Sequence, residues 1–358
     1  MLRYFLHKIF YATLTLFGVV SVIFFLFTIL PGDPARMMLD QNENEEQLAI
    51  IKKKYGFDKP IGIQYLYYLN DLSPLSVHST NQEDYTYFDK NKYNGFALLG
   101  IAKKNLVLKT PYLRESFQKN GKKVTAVISE TLPNTFVLAV SAITIAVVLG
   151  ISLGVLSALF KDSFADRTIQ IISTLGMSVP SFFSAIIFAW FFGFILHEYT
   201  NLNMTGSLYE VDDFGEYVHI QWKNLILPAI VLGIRPLAVV IQLMRNSLLD
   251  VLDEDYIRTA KAKGLGMFNI IKNHAMKNAM NPVITAISGW FASMLAGAVF
   301  VEYIFGWNGL GKEIVDALNT LDLPVIMGAV LIIAAIFIII NIFVDIIYGW
   351  LDPKIRTR

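Results

Sequence analysis

Asp255-Tyr256-Ile257-Arg258-Thr259-Ala260-Lys261-Ala262-Lys263-Gly264-Leu265-Gly266 is a polar, basic run wedged between two long apolar segments. Tyr256, Ile257 and Ala260 fall at i, i+1 and i+4, which gives a short helix one semi-apolar face, while Arg258, Lys261 and Lys263 populate the rest. Asp253, Glu254 and Asp255 put negative charge where a helix begins. Gly264 stands where a left-handed residue ends one. The chain shows no clustered catalytic set. The chemistry on offer is mechanical: a small, stiff knob that seats in a partner's groove. A basic helix lying on anionic lipid is the competing reading, but the run is short and alanine-rich, with little apolar area for a bilayer. Arg235, beside Pro236, is a second candidate. It lies mid-way along an apolar segment, and a charge at that depth is costly, so it marks either a translocation pathway or a structural tie, to carbonyls freed by the proline or to a neighbouring subunit.

The remaining motifs point away from chemistry. Gly306-Trp-Asn-Gly-Leu-Gly311-Lys312-Glu313 approaches the phosphate-binding pattern G-x-x-x-x-G-K-[ST], but Glu313 replaces the hydroxyl that would hold magnesium, and no strand precedes it. It reads as a turn whose glycines supply backbone freedom. His7, His78, His197, His219 and His274 are scattered, with no pair at i, i+4 and no carboxylate to complete a metal set. There is no G-x-S-x-G elbow. The chain has no cysteine, which excludes disulfides, thiolate zinc sites, iron–sulfur clusters and a cysteine nucleophile.

The elements that must position these residues are membrane spans. Of 358 residues, 54% are apolar and only 16% charged, which is the membrane class. A net charge of +1 gives no reason to expect nucleic acid. Six apolar runs of helix-spanning length occupy about 9–30, 133–159, 168–196, 225–246, 281–303 and 326–350. The first is longer than a secretory signal's core and lacks a cleavage site, so it reads as a retained span. Basic residues near the span ends set the sides. Arg3, Lys8, Lys161, Arg167, Arg245, Arg258, Lys261, Lys263, Lys272, Lys277, Lys354, Arg356 and Arg358 mark one face, against Lys223 and Lys312 on the other. Both termini and the 245–281 loop are therefore cytoplasmic. Residues 31–130 fall outside. Their aromatic content (Tyr65, Tyr67, Tyr68, Phe96, Tyr112, Phe117) predicts a small folded subdomain, with 74–95, rich in Asn, Asp, Ser and Thr, its most mobile part. Glu302 and Asp345 stand near span ends and are expected to be wet. Small residues at four-residue spacing mark two helices for close packing: Ala146, Gly150, Gly154 and Ala158, then Gly289, Ser293 and Gly297. The alternative functional class is a stand-alone ion-coupled carrier, for which the chain holds few intramembrane carboxylates.

The run at 255–264 resembles the "EAA" signature, E-A-A-x3-G-x9-I-x-L-P, of the membrane subunits of binding-protein-dependent ABC importers. Arg258-Thr259-Ala260 stands at the triplet, Gly264 at the glycine and His274-Ala275-Met276-Lys277 at I-x-L-P. The wording is that of the oligopeptide/dipeptide permease subgroup, Y-[IV]-R-T-A-[RK]-A-K-G-L followed by R-H-A-[LM]-[RK]-N-A. Further resemblances fall in order along the chain: Leu30-Pro-Gly-Asp-Pro34, Tyr55-Gly-Phe-Asp-Lys-Pro60 with Gln64-Tyr65, Glu130-Thr-Leu-Pro-Asn-Thr135, Ser178-Val-Pro-Ser-Phe182, Val301–Gly311 and Leu351-Asp-Pro-Lys-Ile355. Residues 70–110 and the acidic patch Val211–Glu216 depart from the subgroup. The resemblance implies an all-α integral membrane protein with six transmembrane helices of the type I ABC importer kind and an extracytoplasmic insert between helices 1 and 2. Its parts would be helix 1 (1–30), the insert (31–130) and a permease core (131–358) with a coupling loop at 246–280. It implies a bacterial inner-membrane location and no catalysis by this chain, which would form half of a translocation pathway for di- or oligopeptides, nickel complexes or another small solute being the alternative cargo. Its partners would be a second homologous permease, an external substrate-binding protein and two cytoplasmic ATPases. ATP and magnesium would sit on the ATPases, with no cofactor here. Asp255, Tyr256, Ile257, Arg258, Thr259, Ala260, Lys261, Ala262, Lys263 and Gly264 would form the coupling helix, seated in an ATPase groove.

Overall fold

The computed structural model describes residues 2–29, 35–36, 44–212 and 215–351. Leu30-Pro-Gly-Asp-Pro34, part of the acidic patch near Val211–Glu216, the segment after Leu351, and the side chains of Arg3, Gly297 and Asp345 lie outside the described set. In chain order the elements are α1 (Leu2–Ile29), α2 (Glu45–Tyr55), α3 (Ile61–Leu72), β1 (Leu75–Ser79), β2 (Gly95–Ile101), β3 (Lys104–Lys109), α4 (Val124–Leu159), α5 (Phe164–Ser178), α6 (Ser181–Trp190), α7 (His197–Thr200), β4 (Tyr209–Val211), β5 (Val218–Ile220), α8 (Lys223–Leu252), α9 (Asp255–Ala262), α10 (Met267–Ile270), α11 (Met276–Gly297), α12 (Val299–Phe305), α13 (Leu310–Asn319) and α14 (Leu323–Leu351).

Four helices among the described residues are long and apolar enough to cross a membrane: His7–Thr28, Val124–Leu159, Lys223–Leu252 and Leu323–Val344. Two bent pairs, α5 with α6 and then Met267–Leu295 with α12, bring the total to six if each is one span. The sequence predicts a straight span at 168–196; α5 and α6 instead turn by 108°. Pro180 is the cause. It has no N–H for the ladder, and its ring drives Val179 into extended backbone (φ −83, ψ 131). The span expected at 281–303 likewise divides into α11 and α12, with a 55° turn. The helix expected to stop near Arg245 runs on to Leu252, because Val240, Met244 and Leu248 continue one buried stripe. Pro282 lies inside α11, which gives up only the bond its nitrogen cannot donate.

Contacts divide the chain into two units, Met1–Glu130 with Ile314–Ala335, and Thr131–Glu313 with Ile336–Arg358. The second carries the two-stranded β4-β5 sheet; in the first, β1, β2 and β3 form a three-stranded antiparallel sheet of order β1-β3-β2. Phe24 of α1 packs on Tyr65 and Tyr68 of α3, and the Ser21 and Tyr65 hydroxyls lie 2.6 Å apart. The polar centre of this unit is Asp71, 1% exposed. Its carboxylate accepts from Tyr85 Oη at 2.8 Å, Tyr93 Oη at 3.1 Å and Arg114 Nε at 3.1 Å, while Lys109 Nζ donates to its backbone carbonyl. Burial pushes the Tyr93 and Tyr85 hydroxyls well above their usual range and Lys109 down to about 8. Asp322 ties in the second segment, accepting from Ser116 Oγ and, at 3.0 Å, from Phe117 N. Residues 74–95, expected to be mobile, carry β1 and the buried His78 and Tyr93.

In the second unit α8 is central, with α5, α6, α11 and α12 packed on it. Gly150 and Gly154 of α4 also press against it. A Cβ on Gly150 would lie 2.6 Å from Val240 Cγ1, and one on Gly154 would lie 2.7 Å from Met244 Cβ and 2.9 Å from the Ile241 carbonyl. The first small-residue stripe is thus an internal packing seam. The second is not: nothing lies within 4 Å of the place a Gly289 side chain would occupy. Gly154→Val is expected to destabilise the detergent-solubilised chain by about 1–3 kcal/mol through overpacking against backbone, with Gly289→Val close to wild type, read as thermal midpoints by fluorescence-detected size exclusion.

His78 supplies a pH prediction. It is fully buried, with Nδ1 3.0 Å from the Thr86 carbonyl and Nε2 2.9 Å from Ser76 Oγ. The carbonyl can only accept, so Nδ1 carries the proton and Nε2 accepts from Ser76. Burial lowers the His78 pKa below 6.5. A base with a depressed folded pKa binds fewer protons folded than unfolded, so stability is present above 6.5 and is lost as the pH falls through the folded value. Amide protection in β1 and β3, corrected for intrinsic exchange, should fall between pH 7 and pH 5, and His78→Gln should flatten that response.

Candidate functional site

The Asp255–Ala262 helix is mounted on the chain's own core by two residues. Asp253 and Glu254 turn the backbone out of α8, and α9 begins with Asp255 in its first turn. Ile257 is fully buried and Ala260 nearly so, among Leu248, Ile270, Ala275, Ala279 and Val283. Asn278 Nδ2 of α11 donates to Tyr256 Oη at 2.8 Å. Gly264 ends the helix as expected, with φ +82. Leu265 N bonds the Ala260 carbonyl and Gly264 N the Lys261 carbonyl, the six-to-one and five-to-two pairing of a Schellman stop. A π-type turn, Ile271–Ala275, then leads into α11.

The rest of the helix faces outward. Asp255, Tyr256, Arg258, Thr259, Lys261, Ala262, Lys263 and Gly264 are all exposed. Arg258 pairs with Asp255 at 3.2 Å on the open surface, where such a pair contributes little. The exposed surface continues through Leu265, Met267 and Phe268, the last 76% exposed. The expected coupling helix stopped at Gly264 and left these three out. Their signal was available: three large apolar side chains beside a glycine stop, within a polar segment.

A second omission lies close by. Asp166, 2% exposed, receives Arg245 in a two-pronged pair, Nε to Oδ1 at 2.7 Å and Nη2 to Oδ2 at 2.6 Å. Ser157 Oγ at the end of α4 donates to the same carboxylate at 2.5 Å, and Asp162 N donates at 2.9 Å. Ser163 caps α5 by accepting from Asp166 N at 3.2 Å. One carboxylate therefore locks α4, α5 and α8 together, one helical turn from Leu248 and the base of α9. Arg245 had been read only as a marker of sidedness. The pattern Ser163-x-x-Asp166 is a capping signature that could have singled out the aspartate.

Arg235 is exposed on the otherwise largely buried α8, roughly 20 Å along the axis from Leu248, so the fold does not bring it to α9. Among the described residues no acceptor is bonded to its guanidinium, and the tie to carbonyls freed by Pro236 does not form. Glu302 corrects the expectation of a wet carboxylate, for it is fully buried. The turn after α12 wraps over it: Gly311 N donates to Oε2 at 2.7 Å and Lys312 N at 3.1 Å. A side chain on Gly309 would collide with the carboxylate, and one on Gly311 would lie 2.9 Å from it. The near-miss to a phosphate loop does close around a carboxyl group, but one supplied by the chain itself. The same turn is pinned to α4. Trp307 Nε1 donates to the Asn134 carbonyl at 3.0 Å, Asn134 Nδ2 to the Asn308 carbonyl at 2.7 Å, and Leu310 N to Thr135 Oγ1 at 2.8 Å.

Comparison with known proteins places this arrangement. Residues 146–357 match the family described as binding-protein-dependent transport system inner membrane component, and residues 1–84 match the N-terminal component of such membrane proteins. A putative peptide permease protein of Brucella ovis is 32% identical, with both chains covered in full. The dipeptide transport system permease protein DppB of Escherichia coli (strain K12) is 32% identical over the whole of both chains. That of Bacillus subtilis (strain 168) is 31% identical over 100% of this chain and 99% of its own length. A chain of the MetNI methionine ABC transporter, solved in inward-facing conformations, shares the fold at 15% identity with a TM-score of 0.50, over 64% of this chain and 98% of that one. The chain is therefore a multi-span membrane permease and belongs to the family of inner membrane components of binding-protein-dependent transport systems.

Proposed function

We propose that this chain is the permease subunit of an ATP-driven peptide importer and forms half of its translocation pathway. Full-length similarity to dipeptide and putative peptide permeases supports the cargo class. The observation that carries the mechanism is the division of α9 into an inward face, Ile257 and Ala260, and an outward face with Tyr256, Arg258 and Lys261, which Lys263 and, on α10, Phe268 continue. The inward face makes the helix rigid with α8 and α11. The outward face seats in a groove of a cytoplasmic ATPase. When ATP draws two such ATPases together, the push on α9 passes through Ile257 into Leu248 and Ala279 and turns the spans as bodies. This is a two-state equilibrium biased at one site and read at another, with coupling of about 1–3 kcal/mol per linked site and more when ATP drives it. Both termini and α9 lie in the cytoplasm, and the sheet-bearing insert lies outside, where a substrate-binding protein delivers cargo. A second, homologous permease completes the pathway, and Arg235 faces that pathway. ATP and magnesium belong to the ATPases.

Two measurements test this reading in proteoliposomes holding the complete assembly. Lys261→Glu with Lys263→Glu should cut ATP-driven peptide uptake at least tenfold and release the ATPases on size exclusion, with the thermal midpoint of the chain unchanged, since surface substitutions are usually within about 0.5 kcal/mol. Normal uptake by that variant, or uptake by the chain alone under an ion gradient, sinks the proposal. Arg235→Leu should insert normally and lower uptake by at least about tenfold while ATPase docking persists. Wild-type rates would return Arg235 to the structural role.

A further inference from the structure

A cation in the insert lacks its anion. Lys92, half-buried, holds its ammonium 4.2 Å from the ring centre of Tyr85, 4.9 Å from Tyr93 and 5.4 Å from Tyr112. Three aromatic faces attract it, yet among the described residues no oxygen accepts a hydrogen bond from Nζ. Asp71, the buried carboxylate whose charge acts most strongly on Lys92, already serves Tyr85, Tyr93 and Arg114. Asp89 and Glu115 act on Lys92 only through space. Arg114 gives Nε to Asp71, and its terminal nitrogens bond nothing among the described residues. Its guanidinium carbon lies 5.9 Å from the same Tyr85 ring. Lys92, Arg114, Tyr85 and Tyr112 all line one open groove of about 760 Å³, which Glu83, Asp84, Asp89 and Glu115 line as well.

We propose that this groove binds a short peptide by its C-terminal carboxylate, with the Lys92 ammonium and the free end of the Arg114 guanidinium as donors. The tyrosine rings form an apolar wall. Glu83, Asp84 and Asp89 supply acceptors for the peptide's ammonium end. A volume within the usual range for small-ligand sites suits a di- or tripeptide better than a flat protein contact. Burial pulls the Lys92 pKa down, and an incoming carboxylate relieves that cost by supplying the missing counter-charge. The site is a way-station for cargo outside the membrane, and this assignment rests on the peptide-import reading above.

The test is calorimetric titration of the full-length chain in nanodiscs with Ala-Ala-Ala and with its C-terminal amide. The free acid should bind at least about tenfold more tightly than the amide, as expected for a charge-assisted hydrogen bond. Lys92→Gln should abolish that preference, and Lys92→Arg should retain it, which separates lost charge from lost folding. Equal binding of acid and amide, or an unchanged Lys92→Gln, overturns the proposal, since a peptide held elsewhere on the chain would ignore the substitution. So does a Lys92→Gln chain that loses only its contact with the substrate-binding protein. Uptake by the complete assembly is measured in parallel. Import without binding in the groove overturns this inference alone. Binding in the groove without import overturns the transport reading and leaves the carboxylate site standing.

Discussion

The burial of Ile257 and Ala260 is the contact on which the remaining organisation depends. A short helix in water is barely stable by itself, and a loose one would absorb any force applied to it. Packing those two residues among Leu248, Ile270, Ala275 and Ala279 joins α9 to α8 and α11 with no slack between them. Close-packed interiors deform little, so a displacement at the exposed face is passed on rather than dissipated. The Asp166–Arg245 pair serves the same end one turn away, tying α4 and α5 to α8. The two contacts differ in kind: the first is apolar and indifferent to salt, whereas the second is a charge pair that Ser157, Asp162 and Arg245 satisfy together.

Much of this was legible in the sequence, because the relevant signals are local. The apolar runs fixed the helices, and Gly264 marked the end of α9. The basic face of that helix follows from spacing alone. What the sequence could not convey is the fate of helix breakers and of polar groups whose partners are remote. Pro180 breaks a helix, whereas Pro282 sits within one. The two differ in the packing around them, not in their own chemistry. Glu302 looked like a wet span-end carboxylate because its acceptor role depends on a turn that folds back over it. Two stretches that the resemblance singled out, Glu130–Thr135 and Val301–Gly311, turn out to be bonded to each other through Trp307, Asn134 and Thr135.

The insert shows the same limit more sharply. Its core is polar, built from Asp71 and residues 14 to 43 positions away, and no periodicity encodes such a set. A buried carboxylate held by two phenols and a guanidinium contributes little net stability by itself, since desolvation offsets much of the attraction. It does specify one arrangement, because each donor has a single place to go. That rigidity is what leaves Lys92 surrounded by rings and without an anion.

Glu302 and the glycines above it carry an evolutionary consequence. The carboxylate occupies the space that side chains at 309 and 311 would need, so the three positions form a single unit of inheritance. A lineage that shortens residue 302 relaxes both glycines at once, and a lineage that keeps the glutamate must keep the two bare backbones. Across distant relatives these positions should drift in concert or not at all.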